Sequence, residues 1–146
     1  MEQIVQTGGE GASGIIVARL VTDDSERMRC LPDVAGEQCV LLEHTIYDML
    51  RMMCAHHDGG LWDFFKLSNG GFYMAPEAMG EYRLVGPGNG FEGGVSAKHF
   101  GLIATAMAYS HLSFRQTGSC FSRAYVQLSE FIHQQDDRTT VLAALD

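Results

Sequence analysis

Several residue groups in this chain have types and spacings that chemistry could use. Gly88-Asn89-Gly90-Phe91-Glu92-Gly93 matches G-x-G-x-x-G, a pattern whose glycines let backbone approach a pyrophosphate. Such a turn opens directly into its helix within a parallel βαβ unit and needs an acidic residue about 20 positions on. Here the next helical pattern starts later, and no carboxylate follows Glu92 before Glu130. The stretch therefore reads as a glycine loop, not a nucleotide cradle.

His56-His57-Asp58, with His44, His99, His111 and His133, supplies metal-ligand types. Adjacent residues seldom point at one ion, and neither H-E-x-x-H nor a zinc-type Cys/His spacing occurs. They read instead as helix-end histidines that interact with the C-terminal dipole. Cys30, Cys39, Cys54 and Cys120 form no C-x-x-C pair and follow no secretory leader, so they read as free thiols in a reducing compartment. A Cys/His or Ser/His nucleophilic site, whose partners meet only in space, stays open, although no G-x-S-x-G elbow marks one. No catalytic residue, cofactor or metal is assigned.

Trp62, Phe64, Phe65, Phe72, Tyr73 and Tyr82 could stack nucleic-acid bases if the surroundings were basic. Lys66 and Arg83 are the cations on those runs, and the whole chain carries a net charge of −8. That sign disfavours direct DNA binding, because broad phosphate binders cluster Lys and Arg. One aromatic face then reads as core and the other as a protein-binding surface, since such side chains enrich interface centres. The 18 carboxylates are scattered beside basic residues, and none lies between Gly93 and Ser129, so they do not form the phosphate-like string that a DNA mimic needs.

These residues must be positioned by a fold that 146 residues can build as one domain, hiding roughly 68–70% of its unfolded surface. An apolar fraction of 46% against 19% charged excludes wholesale disorder, and the longest apolar stretch, Phe100 to Phe114, is too broken to span a membrane. Residues 1–13 read as a flexible tail and 14–146 as the domain. Ile15 to Val21 reads as a strand, and Glu26 to Leu31 as irregular or extended up to Pro32. From Gln38, a stripe of Cys39, Leu42, Ile46, Met49, Leu50 and Met53 predicts an amphipathic helix.

The centre is a hairpin. Leu61 to Leu67 and Phe72 to Met74 are two apolar runs joined by Ser68-Asn69-Gly70-Gly71, a turn in which Asn69-Gly70 tolerates positive φ. Glu81 to Val85 adds a third strand of an antiparallel meander, which an N-terminal strand could extend. The loop Gly86 to Gly94, with Pro87, Gly88 and Gly90, is an ordered turn system or a mobile lid. Ser96 caps a second helix with Phe100, Ile103, Met107 and Phe114 at helical spacing, where small Gly101, Ala104, Ala106 and Ala108 permit close packing. A third helix spans about Phe121 to Gln135, burying Phe121, Tyr125, Leu128 and Ile132. Asp136-Asp137 caps a final short turn. The fold class is α+β, one small sheet covered by three or four helices.

The hairpin carries a resemblance. Gly60, Trp62-Asp63-Phe64 and the run from Leu67 through Pro76 closely resemble the ArdB/KlcA antirestriction family. So do Arg27-Met28, Leu31-Pro32, Gly36, Pro87-Gly88-Asn89-Gly90, Ser96-Ala97 and Tyr109 to Phe114. The likeness covers about residues 20 to 115 and, more loosely, the C-terminal helices. Leu61, Lys66 and Lys98-His99 depart from it, and the last two departures make the surface less negative. The resemblance implies inhibition of type I restriction endonucleases in a bacterial cytoplasm, so that incoming mobile-element DNA escapes cleavage. Contact with the restriction complex, or with a factor controlling it, fits better than mimicry of DNA. Trp62, Asp63, Ser68, Asn69, Tyr73 and Asn89 would face the partner, on a scaffold shaped by Gly70, Gly71, Pro87, Gly88 and Gly90. An enzyme of unknown class at the glycine loop, and a weak DNA-binding module, are the alternatives.

Overall fold

The computed structural model describes residues 14–54, 61–77, 81–85, 92–115, 120–136 and 138–145. The expected tail at 1–13, the His56-His57-Asp58 exit and residues 86–91 of the glycine loop, with Pro87, Gly88, Asn89 and Gly90, lie outside the described residues. In chain order come β1 (Ala18–Leu20), α1 (Asp24–Ala35), a 3₁₀ turn (Gly36–Gln38), α2 (Cys39–Met53), β2 (Trp62–Leu67), β3 (Phe72–Pro76), β4 (Glu81–Val85) and β5 (Glu92–Ser96). The chain continues into α3 (Ala97–Arg115), α4 (Cys120–His133) and α5 (Arg138–Leu145). This is an α+β protein with two small antiparallel sheets, ordered β1-β2-β3 and β4-β5. Buried side chains from both sheets and all five helices join one hydrophobic cluster.

β2 and β3 form the expected hairpin, with Phe64 opposite Met74 and Lys66 opposite Phe72. The continuous meander is corrected. Glu81 to Val85 is a strand, but it leaves the hairpin and pairs with β5, and the N-terminal strand is the third member of the first sheet. Glu92-Gly93-Gly94, expected in the loop, belongs to β5, where Gly93 lies opposite Leu84 and Gly94 opposite Arg83. Glycine weakens a strand because it has no side chain to pack. Here Leu84 and Val95 supply the burial, Tyr82 packs on Phe100 at 4.8 Å, and backbone pairing does the rest.

The segment before Pro32 is also corrected, from irregular to helical. Asp23 caps α1 by accepting from Glu26 N at 2.9 Å, and Asp24 and Glu26 sit favourably at the positive end of the helix dipole. Pro32 lies inside the last turn, where it forfeits one helical hydrogen bond, and the helix stops at Gly36. Burial of Cys30, Leu31 and Ala35 outweighs the pre-proline bias at Leu31.

In α2 the predicted stripe faces the core: Leu42, Ile46, Met49, Leu50 and Met53 are buried and Cys39 half-buried. Ser96 Oγ accepts from His99 N at 3.2 Å and caps α3 as expected. Buried residues run nearly all round α3 from Phe100 to Tyr109, as for a helix enclosed by its neighbours. Phe114 is the exception, being 85% exposed where its spacing predicted burial. It lies beyond Leu112, the last buried residue of α3. α4 buries Phe121, Leu128 and Ile132, with Tyr125 half-buried.

Candidate functional site

The hairpin places its residues by docking, and its tip is tied to α4 and to the segment before β1. Gly70 adopts φ 94°, which its lack of a Cβ permits, and the turn closes through Leu67 N to Gly71 O at 2.9 Å. Asn69 does three jobs there. Its Oδ1 accepts from Gly71 N at 3.0 Å, its Nδ2 donates to Gln127 O at 2.9 Å and to Glu130 Oε1 at 3.3 Å, and its carbonyl accepts from Gln127 Nε2 at 3.2 Å. The expected partner-facing Asn69 thus pins the tip to α4. Ser68 is exposed, and its Oγ accepts from Val17 N at 2.9 Å.

Burial sorts the other residues expected at a contact. Tyr73 is only 1% exposed and stacks between Phe65 at 4.7 Å and Phe131 at 6.0 Å. Trp62 is buried, packs on Tyr47 at 5.1 Å, and accepts from Arg27 Nη2 at its carbonyl, 3.0 Å away. Both expected contact residues are therefore core residues, with little surface to offer. β3 is buried on both faces, so the sheet has no free aromatic face at that strand. Asp63 is half-buried opposite Ala75.

Residues that the sequence reading did not single out for this role complete the arrangement. Phe72 and Met74 direct their backbone groups away from β2, and α3 meets them. Tyr109 donates to Phe72 O at 2.8 Å, and Thr105 Oγ1 lies 3.4 Å from Met74 N and 3.3 Å from Met74 O. The approach depends on Gly101, where a Cβ would collide with Ala75 and with the Met74 carbonyl oxygen. Gly101, Thr105 and Tyr109 recur every four residues, so they share one side of a helix. That spacing was the available signal for a helix laid along a strand edge.

Charge is paired locally. Arg19 Nη2 lies 2.6 Å from Glu26 Oε2, and this hydrogen bond holds the Glu26 carboxyl below the usual range, with Lys66 adding to the effect. Lys66 stands 3.7 Å from Glu26 and 3.6 Å from Asp33. It borders a cavity of about 300 Å³ between α1, the hairpin turn and α4, which Cys30, Arg123 and Gln127 also line. Burial raises the Cys30 thiol and so keeps it protonated. Its Sγ lies 3.3 Å from Glu26 O. His133 Nδ1 lies 2.8 Å from the Ser129 carbonyl of its own helix. Burial also raises Tyr73 and Tyr109, while burial and the Glu43 hydrogen bond push Tyr47 up to about 12. Among the described residues no group of three or more His, Cys, Asp or Glu side chains gathers as a metal site. The arrangement positions backbone and packs aromatics.

Against known proteins, residues 55–146 match the family described as Antirestriction protein. The chain is 33% identical over 141 residues to antirestriction protein KlcA of Escherichia coli, covering 92% of this chain and 95% of that one. It is 32% identical over 127 residues to the uncharacterized protein YafX of Escherichia coli strain K12, covering 84% of each. A solved structure superposes with a TM-score of 0.82 at 29% identity, covering 96% of this chain and all of that one. It comes from work on the KlcA and ArdB proteins, which describes a novel fold and antirestriction activity against type I DNA restriction systems in vivo but not in vitro.

Proposed function

This chain belongs to the antirestriction protein family, and from that premise we propose that it inhibits type I restriction-modification endonucleases, so that incoming mobile-element DNA escapes cleavage. The single observation that carries this reading is the likeness, over 96% of the chain, to a structure whose proteins are described as acting on type I systems in vivo. Inhibition proceeds by protein contact and not by chemistry on DNA or by imitation of it. Local pairing of carboxylates supports this: Glu26 and Asp33 answer Arg19 and Lys66, Asp48 answers Arg51, and Glu92 answers Arg83.

The contact is with the restriction complex or with a factor controlling it. That the related proteins act in vivo but not in vitro favours a factor present only in cells. One domain over residues 14–146 does this work in the bacterial cytoplasm. Among the described residues no helix is long and apolar enough to cross a membrane. Of the residues expected at the contact, Asp63 and Ser68 keep accessible surface, and Asn89 is proposed with them. Plating of unmodified phage on a host with a type I system tests the function. Expression should raise efficiency towards that on a non-restricting host, and no rise would reject the reading.

A further inference from the structure

The cavity of about 300 Å³ that Lys66 borders lies between α1, the hairpin turn and the start of α4. Its floor is apolar. Cys30, Leu67, Phe72 and Ala124 line it and are all buried, whereas Asp33 and Arg123 line it and are exposed, with Lys66 half-buried. An apolar floor under a few convergent polar groups is the make-up of a small-molecule site. At about 300 Å³ the space suits a ligand of one ring and a short arm.

The charges around this cavity do not cancel. Those that act on the Cys30 thiol at its floor are Lys66 and Arg27 against Glu26 and Asp33, equal in number. Lys66 is shared by Glu26 at 3.7 Å and Asp33 at 3.6 Å, and Glu26 is also held by Arg19, with Arg29 acting on it from the same helix. Glu130, further along α4, accepts from Asn69 Nδ2 at 3.3 Å and is not part of the lining. Arg123 stands on the α4 wall, and among the described residues its side chain has neither ion pair nor hydrogen bond. The lining therefore sets Lys66 and Arg123 against Asp33 alone, which leaves it positive.

We propose that this cavity binds a small monocarboxylate with an apolar body, its carboxylate on the Arg123 guanidinium and its body on the floor made by Leu67, Phe72 and Cys30. The planar guanidinium fork matches both carboxylate oxygens. Apolar area buried on the floor, with a soft sulfur in it, supplies the rest of the affinity. A dianion such as a phosphate ester fits less well, because Glu26 and Asp33 already divide the Lys66 charge and a second negative charge would meet Asp33 across the mouth. A neutral ligand of the same shape would leave Arg123 unanswered. This site stands apart from the antirestriction reading and does not depend on it.

The test titrates the full-length ¹⁵N-labelled protein at neutral pH, where carboxylates are ionised, with hydrocinnamate and, separately, with hydrocinnamyl alcohol, propanoate and phenyl phosphate. Amides of Gly71, Ala124 and Gln127 should shift together with hydrocinnamate and saturate with a Kd of about 1 mM or below. The alcohol, the ringless acid and the phosphate ester should each bind at least about tenfold more weakly. Arg123→Gln changes an exposed side chain, so the fold should persist while the preference for acid over alcohol disappears. Ala124→Leu fills the floor and should weaken hydrocinnamate at least about tenfold; should that variant not fold, Arg123→Gln decides alone. The inference is overturned if no saturable shift appears at the cavity, if any of the three comparison ligands binds as tightly as hydrocinnamate, or if the acid preference survives in Arg123→Gln. Restriction does not enter the measurement. A protein that binds the acid and leaves phage plating unchanged sinks the antirestriction reading alone, and one that protects cells without binding sinks this inference alone.

Discussion

The three-stranded sheet has two outer edges, and the chain finishes them by opposite means. Along β3, α3 lies close enough for Thr105 and Tyr109 to meet the backbone of Met74 and Phe72, and no surface is left. Along β1, Gln134 meets Gly14 and Ile16, and among the described residues no hydrogen bond reaches the outward groups of Ala18 and Leu20. The difference follows from burial. A backbone group shut away from water costs about 1–3 kcal/mol if unpaired, so the buried edge must be matched atom by atom. At an exposed edge water can serve instead.

The comparison breaks most severely at Gly101. Gly101→Ala places a methyl against Ala75 and the Met74 carbonyl. Forcing α3 off β3 should cost about 3 kcal/mol or prevent folding, read as a lower urea midpoint. A midpoint unchanged from the parent would mean that the close approach is not needed.

Next comes Tyr109, fully buried and donating to Phe72 O. Tyr109→Phe leaves that carbonyl unmet and should cost about 1–2 kcal/mol at neutral pH. Its phenol is raised by burial, so above pH about 10 the unfolded chain releases a proton that the folded chain keeps. The contribution of Tyr109 is therefore complete below pH 10 and declines as pH rises beyond it. Denaturation at pH 8 and pH 11 should show a smaller alkaline loss in Tyr109→Phe than in the parent. Equal losses would place the alkaline sensitivity elsewhere.

The smallest effect belongs to the open edge. Gln134→Ala frees Ile16 N and Gly14 O to water and should change stability by less than about 1 kcal/mol, while amide exchange at Ile16 accelerates. A loss as large as that of Gly101→Ala would show the two edges to be equally needed.

Much of this fold was legible in the residue order because its causes are local. Asn69-Gly70 supplies a turn that two aromatic runs close, the spacing of Leu42, Ile46, Met49 and Leu50 makes an apolar helix face, and Ser96 is a side-chain cap within reach of its own helix. The candidate site was less legible. Trp62, Asn69 and Tyr73 have the chemistry of contact residues, and the same chemistry suits a core stack and a docked turn. Nothing in the segment itself says that Phe131 and Gln127, some 58 residues away in the chain for Tyr73 and Asn69, will take them up. Pro32 misled for a related reason, since its local penalty was visible and the burial that offsets it was not.

Composition, period and turn chemistry therefore determined the α+β class, the hairpin and the helix faces, because each depends on neighbours within a few residues. Tertiary structure alone decided that β4 pairs with β5, that β1 completes the hairpin sheet, and that α3 meets the β3 edge while Gln134 meets the start of the β1 edge. A strand's inclination to pair is written in its own side chains. The choice of partner is made by whichever edge the packed core brings within hydrogen-bonding distance.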